Sequence, residues 1–379
     1  MGSWERKTRR FVTITMQNLQ DGSRTRNSIR PEPDRQAART PMMSFALRWK
    51  VIKRQRSNST LVIAGCALIL LAFAWRLAIA PALKVVPTNI DELLYLNGTI
   101  TNFVNPPGQL AAGSAQPAQV QLNRRLFSRP LDSTTKTAIM KTEDNVFTRD
   151  PRTLLSTTGR VYALDRRTGA MVSDKRADQR RSGYLLVFPF NSPASSVPLW
   201  SELTGRTYPA KYVKSEKFNG IEVYDYQMAY GNQPLAKPPA GYPDTLTGAQ
   251  ARQILSTAVP ALADNQTVKP IYAGSSVVAL KVEPKSGTIV SIDRFEESVS
   301  ITINGPGANA VAMTQALNSV AYSQLPQSSA AVAVYAKDQL AKFRLQFAYI
   351  PLGMLVLGFA VLLAGLFAGV KPGVEGTIA

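Results

Sequence analysis

Residues 61–83, LVIAGCALILLAFAWRLAIAPAL, make an apolar run that a soluble domain has no interior large enough to hide. As a helix the run rises about 34 Å, enough to cross a hydrocarbon core roughly 30 Å thick with modest tilt. Its one charge, Arg76, falls within two turns of the end, so the guanidinium reaches the interface while its stem stays in lipid. A second run, FAYIPLGMLVLGFAVLLAGLFAGV at 347–370, carries no charge. The sequence therefore predicts a membrane-anchored chain with a transmembrane helix near each end. Between them lie about 260 residues, enough to bury a core of their own.

Basic residues set the expected sidedness. Residues 1–60 hold 14 Lys and Arg against 4 Asp and Glu, with Arg48, Lys50, Lys53, Arg54 and Arg56 beside the first span. Lysine and arginine resist translocation, which puts this flank in the cytoplasm, returns the C-terminus there and exports the middle of the chain. The expected division is a basic, largely disordered tail (1–58), the first span (59–83), an exported β-rich domain (84–328), a juxtamembrane helix (329–346), the second span (347–370) and a short cytoplasmic tail (371–379). Met42 and Met43 offer a second place for translation to begin.

The formal net charge of +19 reads as a topology signal that also attracts anionic lipid, so nucleic acid is not the expected partner. Cys66, the single cysteine, lies in the first span, and the exported core has to hold by packing without a disulfide. Histidine is absent, which removes Ser-His and Cys-His catalysis and the common histidine metal sites. No catalytic residue, metal or cofactor site is expected.

From Val120 onward the pattern is that of strands and tight turns. Residues 159–163 lead through Asp165, Thr168 and Gly169 to Val172; residues 277–282 lead through Glu283, Pro284, Ser286 and Gly287 to 289–292; and Thr204 with Gly205 makes a third turn. Glycine at each supplies the positive φ that such turns need, and three of them predict an antiparallel meander. The segment GIEVYDYQMAY (220–230) is a strand with Ile221 and Val223 on one face and Tyr224, Tyr226, Met228 and Tyr230 on the other. Helix is expected at 247–259, opened by a Thr247–Gln250 capping pair, and from Ala330 straight into the last span, kinked at most at Pro351. Residues 84–98 read as an extended entry followed by a short amphipathic piece around Ile90, Leu93 and Leu94. Residues 105–119 read as a Pro/Gly-rich loop.

Three ordered motifs, YALDRRTGAMV (162–172), GYLLVFPF (183–190) and LWSELTGRTYPAKYVKSEKFNGIEVYDYQ (199–227), together with the two terminal spans, resemble the actinobacterial envelope family catalogued as the porin PorA family. The resemblance covers roughly residues 58–370. It implies an exported domain between two terminal transmembrane helices and brings no established catalytic residues with it.

The fold class expected is membrane-anchored α+β: an exported, mainly antiparallel β domain with a few covering helices, held in the plasma (inner) membrane. The function expected is a cell-envelope protein that binds or presents a lipid or glycolipid, or assists lipoglycan assembly alongside envelope-biosynthesis proteins. The face formed by Tyr224, Tyr226, Met228 and Tyr230 is the candidate ligand lining, and Arg166, Arg167, Arg176, Arg180 and Arg181 are the candidate contacts for an anionic headgroup. An oligomeric porin-like channel, or a scaffold for envelope enzymes, is the alternative; Gly65, Gly353, Gly358, Gly365 and Gly369 point to close helix packing that also permits oligomers. An enzyme is not expected. Asp165, Asp174, Asp178, Glu296 and Glu297 read as ion-pair partners, the adjacent glutamates facing opposite sides of a strand.

Overall fold

The computed structural model describes residues 45–103, 118–150, 152–255, 262–304 and 312–368, with side chains from residue 58 onward, those of 102 and 103 excepted. Of the expected tail at 1–58, residues 1–44 lie outside the described residues, as do the tail at 371–379 and most of the 105–119 loop; the rest of the first tail, expected to be largely disordered, is helical from Phe45. The chain divides into two units, Met1–Arg56 and Ser57–Ala379, and the second holds the elements discussed below.

Strands β1 (Asp91–Phe103), β2 (Ala118–Ser128), β3 (Thr137–Thr148), β4 (Leu154–Asp165), β5 (Val197–Ser201), β6 (Arg206–Phe218), β7 (Ile221–Pro234), β8 (Leu246–Thr247), β9 (Thr267–Val268), β10 (Ile271–Glu283), β11 (Thr288–Asn304) and β12 (Ala312–Gln324) are all antiparallel to their neighbours. Ten form one sheet in the order β4-β3-β2-β1-β12-β11-β10-β7-β6-β5, and β8 pairs with β9 separately. The first strand thus lies beside the last, with Leu96 opposite Gln324, so both flanking helices leave the sheet at one end. The piece around Ile90, Leu93 and Leu94 is the start of β1, with Ile90 just ahead of it, Leu93 exposed and Leu94 packed inward with strand alternation.

The turns follow the sequence grammar. Gly169, Gly205 and Gly287 all have positive φ, and at Gly287 a Cβ would also come within 2.0 Å of the Phe188 carbonyl oxygen. At the first turn the Asp165 carboxylate accepts from the Arg167 and Thr168 amides, but the returning strand is only a single bridge, Leu164 to Met171.

That bridge begins a seam. Residues 170–172 bond to the β4 edge, the Met171 amide donates to the Gly183 carbonyl, and Tyr184 bridges to Leu199 of β5, the opposite edge of the sheet. Side chains reinforce it: buried Arg181 reaches the Val161 carbonyl, Asp178 and Glu202. The sheet is thereby wrapped into a barrel, which removes its free edges. GYLLVFPF then runs across the barrel's base, with Phe188 wholly buried against β5, β7 and β10 while Leu185, Leu186, Val187 and Phe190 pack with Val86, Leu126 and Met140.

A short helix, Gly248–Leu255, packs Ala251, Ile254 and Leu255 onto Val299, Ile301, Ile303 and Leu317. Its start is the expected reciprocal box: the Thr247 amide donates to Gln250 Oε1 and the Gln250 amide to Thr247 Oγ1. Residues 256–261 lie outside the described set.

Two helices are long and apolar enough to cross a membrane, Asn58–Leu83 and Pro326–Phe367. The second begins beside the sheet, where Ala333 and Ala336 cover Ile221, Val223 and Val290, and continues without a break into its apolar half. The helix pair is antiparallel in sequence order and close: a Cβ on Gly65 would lie 2.6 Å from the Leu362 amide, and one on Gly365 2.9 Å from that of Val62. Small residues at a crossing let backbones approach in just this way. Gly353 faces open space, and Gly369 lies outside the described residues. The irregularity expected at Pro351 takes the form of a π turn, Leu345–Tyr349, directly ahead of it, and the first helix carries a matching one at Trp75–Ile79.

Candidate functional site

The barrel encloses a cavity of about 380 Å³. Its lining comes from both sheet edges (Arg160 and Tyr162 of β4, Trp200 of β5) and from central strands (Phe295 and Glu297 of β11, Tyr322 of β12), as a wrapped sheet requires. Barrels of this strand number have interiors wide enough to hold a small ligand when side chains do not fill them.

A belt of charge crosses this cavity. Arg124 makes a bidentate pair with Asp144 at 2.8 Å, Arg160 lies 3.6 Å from Asp144 and 3.8 Å from Glu202, and Arg181 holds Glu202 from the seam at 2.7 Å. Glu297 has no ion-pair or hydrogen-bond partner among the described residues; burial pushes its carboxyl up to about 7, against the opposing pull of Arg160 and Arg124 and with a small push from Glu202. Trp200 Nε1, Ser276 Oγ and Asn318 Oδ1, on residues that line the cavity, are also buried without a hydrogen-bond partner among the described residues. Unmet donors and acceptors in such a setting are costly unless something else satisfies them.

Below the belt, toward the helices, the character changes. An apolar pocket of about 100 Å³ is lined by Val85, Val86, Ile90, Leu126, Phe190, Tyr335 and Phe343 among others. The two cavities share Arg124, Leu185, Leu186, Ile289 and Ile292 as lining. The two compartments thus adjoin across these side chains, oily beside the end of the first long helix and polar farther away.

The residues singled out from sequence land in several places. Met228 lines the cavity. The three tyrosines beside it fill the wall: Tyr226 is 1% exposed, tilts against Phe188 and donates to the Pro193 carbonyl; Tyr230 stacks on Tyr208 at 4.0 Å and bonds Ser201; Tyr224 meets Tyr212 edge-on. Their hydroxyls and faces are thus mostly spent on the protein. The arginine run does not form one patch. Arg176 is tied to Asp174, Arg181 to Asp178 and Glu202, and Arg166 to the carbonyls of Val86 and Thr134, while Arg167 and Arg180 are exposed. Of the carboxylates read as ion-pair partners, Asp174, Asp178 and Glu296 are paired, Asp165 caps its turn, and Glu297 faces inward unpaired. Arg124, Asp144, Arg160, Glu202 and Trp200 were not singled out. Arg124 and Asp144 do leave a trace: each occupies the apolar register of its strand, between Leu122 and Leu126 and between Met140 and Val146.

Fold and site together define a membrane protein with two membrane-length helices and a cavity-bearing, ten-stranded antiparallel barrel. The chain belongs to the Porin PorA family, whose model matches residues 58–367, and with that to proteins of envelope or porin-like role. Among curated proteins none matches it.

Proposed function

We propose that this is a plasma-membrane envelope protein, both termini cytoplasmic and the barrel exported, that binds a single amphiphile and presents it to envelope-building partners. The observation that carries the reading is that the apolar pocket beside the helices and the polar cavity above it share the lining residues Arg124, Leu185, Leu186, Ile289 and Ile292. A tail drawn from the bilayer enters past Val85 and Phe343, and the head rises into the belt. The belt mixes signs, with Arg124 and Arg160 facing Asp144, Glu202 and Glu297, and adds Trp200, Tyr162 and Tyr322. That chemistry suits an uncharged, hydroxyl-rich head such as a glycosyl group better than a phosphate, since hydroxyls both donate and accept and stack their apolar faces on aromatic rings. The role is binding rather than catalysis.

Mass spectrometry of lipids retained by the full chain after mild detergent extraction tests this. A defined glycolipid at about one copy per chain is expected; retention of bulk phospholipid alone, in proportion to its abundance, counts against it.

The family description favours a second reading, a channel. A pore through this barrel would set its outer wall in lipid, yet that wall carries the exposed pairs Arg125–Asp91 and Arg294–Glu296, at roughly 2–4 kcal/mol for each Arg or Lys at mid-bilayer. Conduction then requires several copies arranged around the two helices. Single-channel steps from purified protein in planar bilayers would favour it.

A further inference from the structure

A second site lies outside the barrel, where four parts of the chain converge. Lys84 directly follows the first long helix, Arg344 lies on the last helix, Lys285 sits in the β10–β11 turn and Asn191 follows the base segment; with Leu340, Phe343, Phe347 and Ala348 they line a hollow of about 320 Å³. Lys84 is held in place. Its ammonium lies 5.4 Å from the ring centres of both Phe190 and Phe343 and donates to Asn191 Oδ1 at 2.8 Å. Asn191 presents that oxygen from a left-handed turn, φ 55°, a conformation asparagine adopts readily.

Three cations thus meet around one hollow, and among the described residues no acidic one lines it. The Glu283 carboxylate, whose charge acts on Lys84, is buried and accepts from the Lys285 and Ser286 amides and the Ser286 hydroxyl. Lys84 and Lys285 sit close enough to repel, and burial with that repulsion lowers the Lys84 proton affinity against the partial relief of Glu283. An anion in the hollow would turn these costs into attraction.

We propose that this hollow binds the phosphodiester of an anionic phospholipid, its acyl chains lying along Phe347 and Ala348. The proposal rests on the reading that the two long helices cross the membrane, and it is independent of what fills the barrel. At the level where both helices leave the bilayer, the phosphate within reach is that of a lipid. Basic residues at a membrane surface attract such lipids additively.

The experiment uses the full chain in nanodiscs of phosphatidylcholine with phosphatidylglycerol, released into the gas phase for native mass spectrometry. Phosphatidylglycerol should be retained over phosphatidylcholine by on the order of tenfold or more, and the K84M/K285A/R344A variant should lose that preference while keeping any ligand of the barrel. Lys285 and Arg344 are exposed, so K285E/R344E, which leaves packing untouched, should lose it too if the triple variant does not fold. Equal retention of the two lipids by the wild type, or an unchanged preference in K285E/R344E, overturns the proposal. Inorganic phosphate displacing phosphatidylglycerol at equal concentration overturns the lipid source and assigns a soluble anion.

Discussion

Trp75 Nε1 donates to the carbonyl oxygen of Gln346 at 2.9 Å, and the guanidinium of the next residue, Arg76, donates to the carbonyl of Phe347. Both acceptors lie in the π turn just ahead of Pro351. Proline has no N–H, so Pro351 gives no donor to the carbonyl four residues back (Phe347) or, at π spacing, to the one five back (Gln346). In hydrocarbon such groups have no water to turn to. The first helix therefore supplies from its side chains what Pro351 takes away. Arg76, expected from sequence to reach for the interface, spends its charge there on the partner helix and lies 6.0 Å from the Phe347 ring centre.

Replacing Trp75 by Phe keeps the ring and deletes the donor. The expected loss is about 1 kcal/mol, that of one hydrogen bond with an unsatisfied carbonyl left behind. Thermal unfolding in detergent reads it, and in a Pro351→Ala background, where a backbone N–H is restored, the same substitution should cost clearly less. An equal cost in both backgrounds removes proline from the explanation.

The two helices should be sensitive to size at one glycine and indifferent at another. A side chain at Gly358 meets Ile69 Cγ1 at 2.9 Å and the Gly65 carbonyl at 3.1 Å, whereas Gly353 faces open space. Gly358→Val is expected to destabilise by roughly 1–3 kcal/mol through overpacking, with Gly353→Val near neutral. Matching melting temperatures for the two variants would mean that the helices are not held by this contact.

The seam of the barrel depends on Arg181, which is 7% exposed and stacks on Tyr162 at 4.2 Å while reaching Asp178 and Glu202. Arg181→Met keeps much of the stem but takes from Glu202 its closest cation, leaving it Arg160 at 3.8 Å and the Gln179 side-chain amide at 2.9 Å, so a loss of about 1–3 kcal/mol is expected. Urea unfolding measures it. Glu202→Gln in the Arg181→Met background should recover part of that loss, because the less well compensated charge is then gone. No recovery would assign the effect to the Tyr162 stacking instead.

Local chemistry was largely legible in the sequence, and long-range closure was not. Thr247 with Gln250, the turn at Gly287 and the alternation of Ile221 and Val223 all act within a few residues, so spacing reveals them. The pairing of β1 with β12 spans most of the chain, and the seam at 170–184 is built from single bridges with no periodicity to read. The interior charges escaped for a different reason. A charge on a strand ordinarily faces water, so Arg124 and Asp144 read as surface residues although their register is apolar, while the Tyr224–Tyr230 face, lined by aromatics, reads as a ligand face although its side chains fill the wall. Adjacent Glu296 and Glu297 were placed correctly on opposite faces, but only packing distinguishes the one paired with Arg294 from the one left alone inside.

Glu297 makes stability depend on pH in a definite direction. Its carboxyl titrates at about 7 when folded, against 4.5 as its ordinary value, because burial disfavours the anion more than Arg160 and Arg124 favour it. Between those values the folded state holds more protons than the unfolded chain, so stability falls as pH rises from about 4.5 through 7, by at most roughly 3 kcal/mol. Melting curves of the wild type and Glu297→Gln across that interval should diverge, with the variant gaining relative to the wild type as the pH increases. Parallel curves would mean that the carboxyl is solvated or bound by a ligand.

The boundary shared by the two cavities offers a test that separates tail binding from fold. Ile292 lines both compartments and packs with Phe295 at the edge of the cores on either side. Ile292→Trp places an indole in the junction. An amphiphile spanning it would be excluded, whereas a ligand confined to the polar belt would still fit. If the interior binds one amphiphile along its length, this variant loses the co-purified ligand at a cost in stability of about 1–3 kcal/mol, while Val213→Trp, at an exposed position on β6, keeps it. Retention of the same ligand by Ile292→Trp with an unchanged stoichiometry would confine binding to one compartment and leave the apolar pocket as packing beneath the barrel.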